Sequence, residues 1–181
     1  RLNGQIRHSA SGQLQVTVEQ SFGNCPRYIQ PRDYRRVAAP AQRGEKATTL
    51  NAATRPLIQA ADTFFVASYA AHDDGKRSVD VSHRGGRPGF IKVEGNVLTI
   101  PDYAGNLHFN TLGNLLLNPL AGLLFIDFTS GSVLQLSGHA EVLLESPAVH
   151  MFEGAQRLWT LRVEEVVWRP AAVSLRWALK E

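Results

Sequence analysis

Apolar and polar residues alternate over many short stretches of this chain, and this pattern predicts a protein built mainly from antiparallel strands. In residues 13–19, for example, Leu14, Val16 and Val18 share one face of a strand, which indicates a half-buried element. A similar pattern, or a short apolar run rich in β-branched and aromatic residues, recurs along the chain. The predicted strands are residues 13–19, 63–69, 79–84, 90–93, 97–100, 123–128, 133–136 and 138–144, with one or two closing strands within 158–177.

Turn and cap signals divide these strands into hairpins and leave room for two short helices. Gly95-Asn96 and Ser130-Gly131 each separate two apolar runs and predict hairpins, and Gly138 predicts a bulge. One helix should begin at Thr54 as its cap and end by residue 62. A second should be capped by Asn110 or Thr111 and run to residue 117, before Asn118-Pro119. The predicted class is mainly β (α+β), a barrel with short helices.

Length and charge suggest one domain with an N-terminal extension. Residues 1–47 read as a strand followed by a proline-rich linker, and residues 48–181 as the main domain. Residues 1–55 carry nine Lys and Arg against three Asp and Glu, yet no aromatic interleaving accompanies them, so no nucleic-acid partner is predicted. The longest apolar stretch, residues 120–126, is too short to span a membrane. With no secretory leader and a single cysteine, the chain is expected to be cytoplasmic, without a membrane partner.

Residues 79–114 hold most of the patterned chemistry. Asp80, Ser82 and Arg84 form one polar row of a strand that continues into the glycine-rich loop of residues 85–89. Glycines let the backbone approach a ligand, and exposed N–H groups can bind an anion such as phosphate. The polar loop of residues 101–106 leads to the second helix, whose N-terminus offers another anion site.

Plainer interpretations of the same residues stay open. The polar row could be the solvated face of a strand, and His83 a packed or hydrogen-bonded imidazole without a catalytic role. Asn110, Thr111 and Asn114 could serve only as helix-capping residues. No metal site is predicted, because His72-Asp73-Asp74 lacks ligand spacing. The chain also lacks the motifs of acyl hydrolases, Rossmann enzymes, P-loop NTPases and dithiol proteins.

Four stretches of the chain resemble the pyridoxamine 5'-phosphate oxidase-like family of flavin-binding split barrels. They are DVSHRGGRPGF, PDYAGN, FNTLGNLLLNP and AGLLFIDF, and the resemblance covers about residues 60–145. It implies a six-stranded antiparallel FMN-binding split barrel with short helices. The N-terminal NCPRYI is similar to a segment that joins two tandem barrels in related chains. The chain would then be the second half of a tandem protein, with residues 1–47 holding the end of a preceding barrel.

The resemblance implies FMN as cofactor and a set of binding residues, but it assigns no catalytic residue. One departure concerns the phosphate, since Phe109, Asn110 and Thr111 stand where the family's oxidases carry Ser-Arg-Lys. Either His83, Arg84 and Arg87 replace those cations or phosphate is bound weakly, and pyridoxine-phosphate oxidation is not expected. The residues implied in cofactor binding are Asp80, Val81, Ser82, His83, Arg84, Gly85, Gly86, Arg87, Pro88, Gly89, Pro101, Asp102, Asn106, Asn110, Thr111 and Asn114.

Two functions follow as hypotheses. The first is an FMN-dependent oxidoreductase, in which the flavin carries the redox chemistry. The second is a non-enzymatic flavin- or haem-binding module, because a fold does not determine a function. The resemblance further implies that the barrel pairs with a second one, either in a homodimer or with a preceding tandem barrel of the same chain.

Overall fold

In the computed structural model, residues 1–23, 26–38, 42–105 and 107–180 are described. They form twelve strands, two α-helices and one 3-10 helix within those ranges. In chain order the elements are β1 (Leu2–His8), β2 (Leu14–Ser21), β3 (Arg32–Arg36), β4 (Glu45–Ala47), α1 (Thr54–Ala60), β5 (Thr63–Ala71), β6 (Arg77–Gly85), β7 (Lys92–Glu94), β8 (Val97–Tyr103), α2 (Asn110–Leu117), β9 (Leu120–Ile126), β10 (Val133–Leu143), the 3-10 helix (Pro147–Met151), β11 (Ala155–Arg169) and β12 (Leu175–Leu179).

The main sheet is antiparallel and follows the order β6-β5-β9-β10-β11-β8-β7, with β4 also paired to β11. Six of its strands have seven or more residues, whereas β4 and β7 have three each. This architecture confirms the predicted fold class, a mainly β chain with six principal antiparallel strands and short helices. Two further antiparallel pairs, β1 with β2 and β3 with β12, lie apart from this sheet. The prediction of a half-buried strand at residues 13–19 is wrong, because Leu14, Val16 and Val18 of β2 are exposed on a hairpin that no other element of the described residues covers. No helix in the described ranges has the length and apolar character needed to cross a bilayer.

Alternating side chains of the principal strands build one apolar core. Phe64 of β5 lies at its centre, with its ring 5.2 Å from that of Phe125 and 6.4 Å from that of Trp159. All three side chains are fully buried, and burial of a large apolar side chain contributes about 1.5–3 kcal/mol. Leu112 and Leu115 of α2 are also part of this core, so the helix covers one opening of the curled sheet.

The predicted hairpins and bulge are confirmed. Strands β7 and β8 pair across Gly95, and β9 pairs with β10 across the turn that contains Gly131. The register of β10 against β11 shifts between Ser137 and Gly138. A Cβ on Gly138 would lie 2.0 Å from the carbonyl oxygen of Arg162, so the bulge requires glycine by close approach.

The helix caps differ from the prediction, although both helices lie where the sequence places them. In α1 the side chain of Asn51 accepts hydrogen bonds from the backbone N–H of Thr54 at 3.0 Å, so Thr54 is capped and is not itself the cap. The cap position of α2 is Phe109, which has φ 52° and makes no side-chain cap bond. Asn110 and Thr111 are therefore first-turn residues, because the left-handed Phe109 shifts the helix entry by one position.

The two ends of the sheet face each other without strand pairing. Arg84 on β6 places its Nη1 atom 3.3 Å from Oδ1 of Asp102 on β8, although these strands stand near opposite ends of the hydrogen-bonded order. The sheet is therefore curled so far that an ion pair bridges the gap. The prediction that residues 31–47 are a linker is wrong, because this segment holds β3 and β4. Strand β4 pairs with β11 of the main sheet and β3 pairs with β12, since backbone pairing does not require an alternating apolar pattern.

Candidate functional site

A cleft of about 150 Å³ lies at the gap between the sheet ends. Five parts of the chain surround it: the N-terminal segment, β6, the loop before β7, the end of β8 with the loop that follows, and the start of α2. Its lining consists of Arg1, Arg27, Tyr28, Ile29, Ser82, His83, Arg84, Gly85, Phe90, Pro101, Asp102, Tyr103, Gly105, Leu107, His108, Phe109, Asn110 and Thr111.

A buried carboxylate between two arginines forms one part of the polar wall. Asp102 is 4% exposed, and its two oxygens lie 3.3 Å from Nη1 of Arg84 and 3.3 Å from Nη1 of Arg157. Burial lowers the pKa of Arg84, and the charge of Asp102 opposes this shift, so the guanidinium stays protonated. The Nε–H of Arg84 is buried and has no hydrogen-bond partner within the described residues. Two cations share one anion here, which leaves a positive charge and a free donor.

A third arginine, Arg1, reaches the cleft from the start of the sequence. Arg1 donates from Nη1 to Oδ2 of Asp80 at 2.9 Å and also contacts the Ser82 hydroxyl, which itself donates to Oδ2 of Asp80 at 2.8 Å. Oδ1 of Asp80 is buried without a partner among the described residues. The polar row predicted on β6 is therefore real, and it faces the interior of the curled sheet, with Asp80 and Ser82 buried.

The charges around the cleft favour an anion. Guanidinium groups of Arg1, Arg27, Arg84 and Arg157 stand against the carboxylates of Asp80 and Asp102, an excess of two positive charges. In a partly enclosed cleft such an excess raises the local concentration of anionic ligands.

The start of α2 adds unpaired donors to the same cleft. Thr111 is 1% exposed, and its hydroxyl has no hydrogen-bond partner in the described part of the chain. Buried hydroxyl groups are normally bonded, so an orphaned one that lines a cleft points to a ligand atom. The first backbone N–H groups of a helix also lack intrahelical acceptors and carry partial positive charge.

Large apolar side chains form the mouth of the cleft, and their backbone is strained. Within the described ranges four non-glycine residues have positive φ, and three of them line this cleft: Tyr28 at 65°, Leu107 at 61° and Phe109 at 52°. Each costs on the order of 1 kcal/mol, and such residues concentrate at functional sites. Their side chains are 40%, 66% and 41% exposed, so the strain is not compensated by burial.

Burial in the cleft holds His83 and Tyr103 in their neutral forms. Burial, assisted by the charge of Arg84, lowers the pKa of His83, whose ring also meets the edge of Phe65. Burial, together with Tyr28 and Glu153, raises the pKa of Tyr103. Near neutral pH the cleft therefore offers an uncharged imidazole and a protonated phenol for hydrogen bonding.

The glycine-rich loop has a different geometry from an anion-binding nest. The N–H of Gly86 donates to the carbonyl of Asp62 at 3.1 Å, and that of Gly89 donates to Gln59 at 2.7 Å. Arg87, Pro88 and Gly89 are exposed and do not line the cleft. Gly85 does line it, but a Cβ there would lie 2.5 Å from the carbonyl oxygen of Tyr28.

The structure brings together half of the residues proposed from the sequence. The members that line the cleft are Ser82, His83, Arg84, Gly85, Pro101, Asp102, Asn110 and Thr111. Asp80 reaches it through Arg1, while the Val81 side chain is 50% exposed and only its carbonyl meets Arg1. Asn114 donates instead to the Ser68 hydroxyl at 3.1 Å, and Gly86 packs against Phe90. Asn106 lies outside the described residues.

Several residues of the cleft were missed by the sequence prediction. Arg1, Arg27 and Arg157 are remote from residues 79–114, and no local pattern distinguishes them from surface arginines. Tyr28 belongs to the NCPRYI segment, so the resemblance of that segment to related chains was the one available signal. Tyr103 ends β8, where the sequence predicted a loop, and Phe109 stands at the first position of the family's Ser-Arg-Lys run; neither was among the predicted binding residues.

No protein-family profile matches the chain, and no curated protein sequence matches it. Solved structures that are similar in fold include HupZ of Group A Streptococcus, at 14% identity and a TM-score of 0.46, over 64% of this chain and 90% of that one. A candidate pyridoxamine 5'-phosphate oxidase of Lactobacillus delbrueckii is 17% identical, with a TM-score of 0.47 over 65% and 93% of the two chains. General Stress Protein 26 of Bacillus anthracis is 10% identical, with a TM-score of 0.41 over 68% and 93%.

Proposed function

We propose that this protein binds FMN noncovalently in the cleft and acts as a flavin-dependent oxidoreductase. One observation carries the proposal: a positively charged wall with unpaired buried donors lies beneath a mouth of exposed aromatic and aliphatic side chains. This combination suits a ligand with an anionic head and a flat apolar body. A phosphorylated flavin has both parts.

The polar wall fits a phosphate and its attached chain. The Thr111 hydroxyl and the Arg84 Nε–H are buried donors without partners, and the excess of two positive charges matches a phosphate dianion. Asp80 lies outside the lining, and its carboxylate accepts hydrogen bonds from Arg1 and Ser82 and so positions both side chains at the cleft. Arg84, Thr111 and Ser82 would therefore hold the phosphate, with Arg1 neutralising Asp80 beside them.

The size of the cleft indicates which end of the ligand would be enclosed and which would lie at its mouth. Clefts that enclose a complete drug-sized ligand usually have about 300–1,000 Å³, which is more than the cleft provides here. The enclosed space accommodates the phosphate and part of the chain, so the flavin ring would extend to the apolar mouth. Tyr28, Leu107 and Phe109 would line that end.

A bound flavin would supply hydride or single-electron transfer, and the protein would bind it, orient it and exclude water. Within the cleft, neutral His83 and protonated Tyr103 are two side chains able to hold or donate a proton near the ligand. Oxidoreductase activity should appear as bleaching of the bound flavin by NADPH or NADH, followed by recovery of the yellow colour in air. Bound flavin that these donors do not reduce would favour a non-enzymatic flavin-binding module.

FMN binding is tested by titrating the flavin with purified protein and following its fluorescence. Riboflavin is the matched ligand because it lacks only the phosphate. We expect FMN to bind at least about tenfold more tightly, since charge-assisted hydrogen bonds contribute about 1.5–3 kcal/mol. Added salt should weaken the binding of FMN more than the binding of riboflavin, because it screens the charge of the phosphate. Equal affinities for the two flavins, or no quenching by either, would overturn the proposal.

We further propose that two barrels pair through the outer face of the sheet. Val79 and Val81 of β6 are 51% and 50% exposed, and they lie in register with Tyr69 and Ala67 of β5. Leu120 on the neighbouring β9 is 41% exposed, so one face carries a contiguous group of apolar side chains. The partner is a second copy or a tandem barrel of the same chain. Light scattering on the purified chain and on a Val81→Glu variant tests the pairing, and a wild-type monomer at micromolar concentration would contradict the homodimer.

A further inference from the structure

The turn at residues 26–29 holds Tyr28 over the cleft in a conformation that a tyrosine rarely adopts. The N–H of Ile29 donates to the carbonyl of Pro26 at 3.4 Å, which closes a β-turn with Tyr28 as its third residue. Tyr28 has φ 65° there, and a turn residue with positive φ is usually Gly or Asn. A bulky side chain therefore occupies a backbone conformation that favours glycine.

Burial does not explain why the turn keeps this tyrosine. Tyr28 is 40% exposed and Ile29 is 47% exposed, so the turn adds little to the core. A few polar contacts hold it in place, because Arg27 and the Tyr28 hydroxyl donate to the carbonyl of Ala104 at 3.3 and 3.4 Å. The Tyr28 ring lies 5.3 Å from that of Tyr103, with an angle of 32° between them, and leaves its remaining surface at the mouth of the cleft.

Strand β6 is adapted to the same turn. Gly85 lies directly under the carbonyl oxygen of Tyr28, and a side chain there would meet that oxygen at 2.5 Å. The absence of a side chain at Gly85 thus lets the turn approach β6 closely. The position of the Tyr28 ring therefore depends on the left-handed turn and on glycine at position 85, where a Cβ would also lie 2.9 Å from the Asp62 carbonyl oxygen.

We propose, building on the flavin site above, that Tyr28 is a specificity residue whose ring contacts the planar part of the ligand. Ring stacking on an aromatic side chain needs a fixed and partly exposed face, and Tyr28 with Tyr103 behind it provides one. Arg84 and Thr111 bind the anionic end, and Tyr28 selects for a flat aromatic body at the other end. Phosphate-bearing ligands without such a body are then bound weakly.

The test compares ligands that share a phosphate but differ in the ring. FMN affinity is measured by fluorescence titration, and inorganic phosphate is measured as a competitor that displaces FMN. In Tyr28→Gly we expect FMN to bind about tenfold more weakly, by analogy with the loss of base stacking, while the inhibition constant of phosphate stays unchanged. Tyr28→Phe should bind FMN more tightly than Tyr28→Gly does, because it keeps the ring and loses only the hydroxyl bond to the carbonyl of Ala104.

Matched variants separate this role from a structural one. Tyr28→Leu should lose affinity as Tyr28→Gly does, whereas Tyr34→Leu, at a 66% exposed tyrosine of β3 away from the cleft, should not. Gly85→Ala should displace the turn and weaken FMN binding without adding to the effect of Tyr28→Gly. Thermal unfolding identifies any variant that fails to fold, and the folded variants then show whether Tyr28 contacts the ligand or only supports the turn.

The outcomes distinguish the two proposals. If wild-type protein binds FMN tightly and Tyr28→Gly and Tyr28→Leu bind it equally well, the role of Tyr28 is wrong and the flavin site stands. If both variants bind FMN and phosphate more weakly by the same factor, the turn supports the whole cleft and Tyr28 does not select for the ring. If wild-type protein does not bind FMN at all, the proposed function fails and this role fails with it.

Discussion

Replacing Asp102 with Asn should destabilise the protein and at the same time make its cleft more attractive to anions. The carboxylate is buried between Arg84 and Arg157, with 3.3 Å to each guanidinium, and Asn has the same shape without the charge. Removing one member of a fully buried ion pair costs about 3–5 kcal/mol. The two arginine side chains keep 25% and 28% exposure, so water recovers part of this cost.

A loss of about 2 kcal/mol follows from this partial exposure, and for a chain of this length it lowers the melting temperature by about 4–8 °C. The matched control is Glu165→Gln, which removes an ion pair to Lys46 that is shorter, at 3.1 Å, but largely exposed. Exposed pairs contribute about 0–1 kcal/mol, so the control should melt close to the wild type.

The ligand provides the second half of the assay. Without the carboxylate the excess positive charge rises by one, and FMN should bind about fivefold more tightly, equivalent to ~1 kcal/mol of added attraction. In saturating FMN the gap in melting temperature between Asp102→Asn and wild type should narrow, because the phosphate replaces the missing anion. The reasoning is refuted if Asp102→Asn melts no lower than Glu165→Gln, or if its FMN affinity falls.

Three other perturbations have expected outcomes. Thr111→Val should leave the melting temperature unchanged or slightly higher, because the buried hydroxyl is unpaired, while FMN binds about fivefold more weakly; a large loss of stability would show that the hydroxyl has a protein partner. Gly138→Ala should lower the free energy of unfolding by about 2 kcal/mol, because its Cβ would meet the Arg162 carbonyl. Gly113→Ala should raise it by about 0.5–1 kcal/mol, because this helical position has no atom within 4 Å of the added Cβ; thermal unfolding measures both. Burial lowers the pKa of His83 in the folded state, so the unfolded chain binds more protons and stability should fall as pH drops below 6.5; melting temperatures at pH 7.5 and 5.5 should differ less in His83→Gln, and an equal difference would assign the effect to other groups.

The local architecture could be predicted because it depends on neighbouring residues. Alternation with a period of two defines which side chains of a strand share a face, and this places Asp80, Ser82 and Arg84 in one row in both the sequence and the structure. Asn118-Pro119 ends α2 because the residue before a proline avoids helical geometry. Gly138 marks a bulge because only glycine tolerates the approach of the facing strand.

The composition of the cleft was decided by tertiary structure. The sequence predicted that the glycine-rich loop binds phosphate through its N–H groups. In the structure the N–H groups of Gly86 and Gly89 donate to backbone carbonyls, and Gly85 lies in close contact with the carbonyl oxygen of Tyr28. Asn114 lies one turn into a helix whose side-chain directions depend on the left-handed entry at Phe109, and it reaches Ser68 instead.

Sequence by itself determined the principal strands of the main sheet, their hairpins, both helices and the polar row of β6, because each results from short-range sterics and from the alternation of burial. It did not predict β1, β3 and β4. Only the tertiary structure decided that Arg1 contacts this row and that Tyr28 and Arg157 lie beside Tyr103 and Asp102 at the same cleft. Their meeting depends on how far the sheet curls, which is set by twist accumulated over all its strands and by the ion pair between Arg84 and Asp102 across the gap. Contacts of that kind link residues up to 81 positions apart, as Arg1 and Ser82 do, and no pattern within a window of the sequence contains them.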